Sequence, residues 1–179
     1  MQPDPNAELD LLRRAARGSA SAFHELVDRH ADRLFRLARS LTGQAADAED
    51  VLQETFTGAY KNAGTFRGDS SVGTWLTKIL VRQVAQWKRT RARKRAGALE
   101  DESSVASSAD HVTGVEAKVD LHAALNELSE GHKEVLVLRE FEHLSYDEIA
   151  TVLEIPRGTV ESRLHRARNE LKAKLKAYQ

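Results

Sequence analysis

The 179-residue sequence predicts an all-α protein made of two small helical domains joined by a flexible linker. Three observations carry that expectation. Apolar residues recur at i, i+3 and i+4 through most of the chain, the mark of one helix face. No segment alternates apolar and polar residues with period two for long enough to be a strand. One stretch, residues 96–116, gives up the apolar pattern for charge, Ser, Ala and Gly, which suits a linker. The expected domains are therefore 1–95 and 117–179, with 96–116 between them. At 41% hydrophobic and 6% aromatic, the chain can fill modest helical cores but not a large barrel.

Each element follows from its own residues. A weak helix is expected over Glu8–Arg17. From Ala22 to Leu41 the apolar positions are Phe23, Leu26, Val27, Leu34, Leu37, Ala38 and Leu41, one long amphipathic helix that "LTG" then breaks. Asp47 can cap the next, on which Val51, Leu52, Thr55, Phe56, Ala59, Tyr60 and Ala63 repeat the pattern. "GTFRGDSSVG" has three glycines in ten residues and reads as a loop. Thr74 can cap a helix beyond it that buries Leu76, Ile79, Leu80, Gln83 and Trp87. After the linker, Leu121, Leu125 and Leu128 open the second domain, and a helix is expected over Ser129–Glu142. Ser145 with Glu148 makes a capping box, and Pro156 stops the short helix that follows. A last helix repeats Val160, Leu164, Ala167 and Leu171 on one face, completing a helix-turn-helix.

Net charge is zero, but the charges are segregated. Residues 66–95 carry nine Lys/Arg against Asp69 alone, and 157–176 carry seven against Glu161 and Glu170. "DAEDVLQE" and "EDESSVASSAD" each hold four carboxylates and no cation. Two basic segments and a separate acidic one imply phosphate-binding surfaces plus a surface for a basic partner. There is no cysteine, which excludes disulfides, thiolate nucleophiles and cysteine-based zinc sites. The seven histidines (24, 30, 111, 122, 132, 143, 165) form no paired metal spacing, and no Gly-rich phosphate loop, nucleophile elbow or carboxylate dyad occurs. No enzymatic activity, metal or cofactor is expected. The N-terminus lacks a basic start with an apolar run, and no apolar stretch approaches the roughly 20 residues that span a bilayer, so a cytoplasmic protein without membrane insertion is expected.

The stretch "LSYDEIATVLEIPRGTVESRLHRAR" bears most directly on function. With Val160, Leu164, Ala167 and Leu171 inward, 100° per residue puts Ser162, His165, Arg166 and Asn169 on the opposite face, flanked by Glu161 and Arg163. Those are donors and acceptors suited to base edges in a major groove, with cations beside them for phosphate. A solvated charged face would show the same charge pattern; the short helix and Pro-Gly turn before it tilt the reading to DNA.

"AEDVLQETFTGAY", "FRGDSSVGTWLTKI" and the stretch just quoted together resemble the sigma-70 family of bacterial transcription initiation factors, in its small extracytoplasmic-function branch. The resemblance covers about residues 20–92 and 117–175, two motif sets in the family's order. It implies promoter recognition and transcription initiation by a protein bound to core RNA polymerase, through the clamp coiled coil of the largest subunit and the flap of the second. Carried over position by position, the clamp surface would be Asp50, Gln53 and Glu54, with Asp47 and Glu49 nearby. The minus-10 element would meet Phe66, Arg67, Ser70, Ser71, Trp75, Lys78, Arg82 and Arg89; for Phe66 and Trp75 taken singly, core packing is the plainer reading. The minus-35 element would meet Arg157, Thr159, Glu161, Ser162, Arg163, His165 and Arg166. An anti-sigma factor is an implied partner.

The chain departs from the family pattern in places. Val72 and Gly73 stand where phenylalanine and arginine are common, and Arg82 and Gln86 where asparagine and aspartate are, which bears on minus-10 specificity. Glu154 stands for the usual turn glycine and Glu161 for a frequent basic residue. The competing reading is a stand-alone helix-turn-helix regulator whose N-terminal bundle binds a ligand or dimerises. Such a protein has no use for the acidic helix or the basic loop and helix.

Overall fold

In the computed structural model, which describes residues 5–98 and 121–177, all the regular structure is helical. The N-terminal half consists of α1 (Pro5–Ala16), α2 (Ala20–Thr42), α3 (Ala45–Asn62), a 3-10 turn (Ala63–Thr65) and α4 (Val72–Ala98). The C-terminal half consists of α5 (Leu121–Asn126), α6 (Glu130–Glu140), α7 (Tyr146–Leu153) and α8 (Arg157–Ala177). Residues 96–98 of the expected linker end α4; the rest of it lies outside the described residues.

Local chemistry sets the helix ends. Ser19 Oγ accepts from the Ala22 N–H at the start of α2, and Gly43, at φ 87°, ends it in the left-handed conformation that glycine adopts without a Cβ clash. Two expected caps move. The N-cap of α3 is Gln44, with no side-chain bond, so Asp47 sits in the first turn, where its charge complements the positive end of the helix dipole. Thr74 is buried rather than capping: Ser71 Oγ accepts from the Thr74 N–H at 3.0 Å and starts α4 three residues earlier. The capping box at α7 forms as expected, with Ser145 and Glu148 bonded in both directions.

The core of the N-terminal half is built from the predicted stripes, including Leu26, Leu34 and Leu37 of α2, Val51 of α3 and Leu76 and Leu80 of α4. Between α1 and α2, His30 Nε2 lies 3.0 Å from Glu8 Oε1, buried but off the angle a hydrogen bond requires. In the C-terminal half, α6 buries four consecutive residues, Val135–Leu138, because it packs on α8 and also touches α2. A helix with one neighbour would bury every third or fourth residue. The two halves therefore meet, α6 against α2 and α7 against α4.

Candidate nucleic-acid interface

The turn between α7 and α8 fixes the aim of the last helix. Glu154 caps α7 at φ 56°, ψ 42°, in the left-handed region that a glycine occupies freely, at a cost of about 1 kcal/mol for a residue with a Cβ. α8 then starts at Arg157 and buries Val160, Leu164 and Ala167. Ser162, His165, Arg166 and Asn169 face outward, as the helical phase predicts. Asn169 Nδ2 lies 3.1 Å from His165 Nε2, and Arg166 makes no ion pair among the described residues. The flanking residues are more engaged. Arg157 binds Asp147 at 2.9 Å and Glu161 at 3.1 Å, Thr159 is half-buried, and half-buried Arg163 lies beside Gly131 of α6. Arg168 bonds Glu140 at 2.9 Å, whereas Lys172 is exposed.

The loop before α4 and the helix itself form the second basic surface. Phe66 and Trp75 pack in a tilted pair, ring centres 5.4 Å apart at 59°, and both lie against the core while remaining half-buried. Arg67 and Arg89 are exposed, and Ser70 is half-buried beside the capping Ser71. Lys78 and Arg82 project from one side of α4, but both are taken: Lys78 Nζ lies 3.2 Å and Arg82 Nη2 2.5 Å from Glu154 Oε1. Hydrogen bonds from Arg82, then Lys78, hold the Glu154 carboxyl below the usual carboxylate range.

Further pairs join the halves. Arg33 binds Glu142, whose side chain is only 4% exposed, and also donates to Thr77 Oγ1 at 3.1 Å and the Gly73 carbonyl at 3.2 Å. Lys88 Nζ reaches Glu134 at 3.3 Å and Glu130 at 3.7 Å. The Thr74 hydroxyl donates to Glu148 Oε1 at 3.3 Å. Beside Lys88, burial pushes the Lys133 ammonium down to about 8, and it donates to Asn126 Oδ1 at 2.7 Å.

On α3, Glu49, Asp50, Gln53 and Glu54 are exposed, and Asp47 is the carboxylate of that helix with an ion pair among the described residues. Asp47 accepts from Trp87 Nε1 at 3.2 Å and Arg91 Nη1 at 2.8 Å, tying α3 to α4. The stripe Asp50, Gln53, Glu54 continues through Thr57, Tyr60 and Lys61 at spacings of three and four. There a shallow groove of about 420 Å³ opens, lined by Phe23, Gln53, Phe56, Thr57, Tyr60 and Lys61. Phe23 stands edge-on to Phe56 and Tyr60, and Tyr60 is 47% exposed. Phe23 and Phe56 pack against the core as their helix faces predict, whereas Tyr60, expected on the same buried face of α3, is exposed; its place one turn beyond the acidic stripe was the signal for that.

The described residues thus present an exposed acidic helix face, a basic loop and helix, and a last helix with an exposed polar and basic face. Two family models match the chain, Sigma-70 region 2 over residues 26–94 and Sigma-70, region 4 over residues 118–171. The RNA polymerase sigma-H factor of Pseudomonas aeruginosa is 34% identical over 177 residues, covering 90% of each chain. The chain belongs to the sigma-70 family. Its place is in the extracytoplasmic-function branch: the relatives include the factor SigM of Mycobacterium tuberculosis, 33% identical over 96% of this chain and 86% of that one. CnrH in complex with the cytosolic domain of CnrY superposes with a TM-score of 0.71 at 30% identity, covering 96% of this chain and 98% of that one. The region 2 match contains the acidic face of α3 and most of α4, and the region 4 match contains the exposed polar face of α8. As a sigma factor the chain directs promoter recognition and transcription initiation.

Proposed function

We propose that this sigma factor joins core RNA polymerase to promoter DNA through three separate surfaces. The exposed face of α3, Glu49, Asp50, Gln53 and Glu54, takes the basic clamp coiled coil of the largest subunit. Asp47 contributes there mainly by holding α3 on α4. The loop and α4 hold the separated minus-10 strand, with Arg67, Ser70, Ser71, Lys78, Arg82 and Arg89 on phosphates and the Phe66–Trp75 pair at the point of strand separation, where an apolar surface replaces lost base stacking. Ser162, His165 and Arg166 read minus-35 base edges, with Arg157, Thr159, Glu161 and Arg163 at the margin. Region 4 also meets the polymerase flap. Residues 1–95 and 117–179 act as two domains, and 96–116 lets them span the two elements.

One observation carries this reading over a stand-alone regulator: a chain with a recognition helix also carries an exposed acidic face without intrachain partners among the described residues. A repressor needs no such face. The role is one of binding, without catalytic turnover. No helix among the described residues is long and apolar enough to cross a membrane, which fits a cytoplasmic site of action. An anti-sigma factor is a natural partner, since CnrH and the RpoE of Bartonella quintana, TM-score 0.72 at 28% identity over 86% of this chain and 96% of that one, were each solved in complex with a second protein, CnrY and the anti-sigma factor NepR. Run-off transcription with core polymerase on a genomic promoter library tests the proposal. Specific start sites should appear only when both proteins are present; operator binding without polymerase and no specific start sites would favour the regulator.

A further inference from the structure

The contacts between the halves have one consistent sign. The N-terminal half supplies the cations Arg33, Lys78, Arg82 and Lys88, and the C-terminal half supplies the carboxylates Glu130, Glu134, Glu142 and Glu154. Two of those cations, Lys78 and Arg82, belong to the surface assigned above to the minus-10 strand. Their shared partner is Glu154, at the one position of the α7–α8 turn where the backbone is left-handed and a glycine would sit without strain. A carboxylate is thus kept at a strained position, and it stands between two cations where a phosphate oxygen would otherwise go.

We propose that Glu154 is an intrachain latch: docked on Lys78 and Arg82, it holds region 4 against region 2 and competes with the DNA backbone for the same two cations. This rests on the proposed role of α4 in holding the minus-10 strand. The geometry supplies the competition. A carboxylate oxygen at 2.5–3.2 Å from both nitrogens leaves neither free to pair with phosphate on that side. The interface combines the packing of α6 on α2 and of α7 on α4 with ion pairs partly open to water, so salt weakens its ionic part, and opening the halves frees both cations together. The part of the free chain's DNA affinity that depends on Lys78 and Arg82 is then scaled by the fraction that is open.

The chain has no cysteine, so dyes can be placed by Arg13→Cys on α1 and Ala173→Cys on α8, both exposed. Energy transfer between them, followed against NaCl, reports the closed fraction of the full chain. Anisotropy of a random-sequence single-stranded DNA 12-mer reports access to the cations. Glu154→Gly relaxes the backbone and removes the carboxylate, so folding is preserved. It should lower the NaCl midpoint of opening about twofold and tighten 12-mer binding about tenfold, as expected if about a tenth of the parent chain is open. Glu154→Gln should fall between the two. Glu140→Gln, which removes an exposed carboxylate bonded to Arg168 rather than to α4, should change binding less than about twofold. Glu154→Arg combined with Lys78→Glu and Arg82→Glu should restore closure while binding the 12-mer at least tenfold more weakly than Glu154→Gly. An unchanged midpoint in Glu154→Gly overturns the latch, and so does opening without tighter binding. The energy-transfer arm needs neither polymerase nor promoter, so its failure is distinct from failure of the transcription reading, which shows in run-off assays.

Discussion

Reversing the charges of Asp50 and Glu54 to lysine should separate polymerase binding from folding. Both side chains are exposed and neither has an ion pair among the described residues, so each reversal should change stability by less than about 0.5 kcal/mol. For a domain of this size that moves the melting temperature by no more than about 2 °C per site. The effect on binding is far larger. A pair of unit charges about 4 Å apart is worth about 1 kcal/mol at the dielectric of water and more at a partly dry interface. Reversal loses the attraction and adds repulsion, so two sites lose about 2–4 kcal/mol after screening, or about 30- to 1000-fold in Kd.

Asp47, one turn earlier on the same helix, should behave in the opposite way. Its carboxylate holds Trp87 Nε1 and Arg91 Nη1, and Arg91 is also stacked on the Trp87 ring with its guanidinium carbon 5.2 Å from the centroid. A charge-assisted hydrogen bond of this kind is worth about 1.5–3 kcal/mol when dry. With the Arg91 side chain 33% exposed, about 1–2 kcal/mol is the fair figure. Asp47→Asn should therefore lower the melting temperature by about 2–8 °C while weakening core binding only modestly. Competition for fluorescent core polymerase, paired with thermal unfolding of each variant, measures both quantities. If the double reversal bound core normally, or melted as early as Asp47→Asn, the division of α3 into an outward face and an anchoring first turn would be wrong.

Ser145→Ala removes the capping box of α7 and should cost about 1 kcal/mol at neutral pH by chemical denaturation. The Ser145 backbone N–H is the main cause of Glu148's lowered pKa, so the carboxylate's share of stability is present above about 4.5 and lost as pH falls through the lower folded value; Glu148→Gln should flatten that acid limb. His30 is pushed below 6.5 chiefly by burial, with Glu8 opposing and Arg33 adding, so the unfolded chain takes up its proton first and stability should fall as pH drops below 6.5 until the folded value is reached. His30→Gln should remove that slope below pH 6.5. In holoenzyme, Arg166→Ala should cost about 1–3 kcal/mol at particular minus-35 base pairs and relax preference there, while Lys172→Ala should weaken all promoters alike; a uniform loss from Arg166→Ala would make Arg166 a phosphate contact.

What the sequence made legible was short in range. The 3.6-residue period of Val160, Leu164 and Ala167 was enough to put Ser162, His165 and Arg166 outside, and Ser145 with Glu148 located the start of α7. At the turn position where glycine is usual, Glu154 proves to be left-handed. The misplaced caps show the limit of the same signals: "GQAAD" and "SSVGT" each offer more than one polar starter, and the choice of Gln44 over Asp47, or Ser71 over Thr74, depends on which residues the bundle buries. Asp47 and Trp87 are 40 residues apart, and Arg82 and Glu154 72 apart. Nothing local announces such pairs; they exist only once helices dock, so residues expected to face partners proved to be facing their own chain.

The zero net charge can now be read physically. Taken as a total it argues against a nucleic-acid binder, since a basic surface is what attracts phosphate. In the folded chain part of that neutrality is direct pairing, with Glu154, Glu142 and Glu134 set on Lys78, Arg82, Arg33 and Lys88. Pairing differs from dilution because it is reversible. Arg89 and Arg166, without ion pairs among the described residues, are available to phosphate or base in the closed form, whereas Lys78 and Arg82 become available only when α7 leaves α4. Counterion release counts the cations that meet phosphate, about one unit of salt slope for each. The closed chain should therefore bind DNA with a slope about two units shallower than the open one, because opening is the step at which α4 gains the free charges of Lys78 and Arg82.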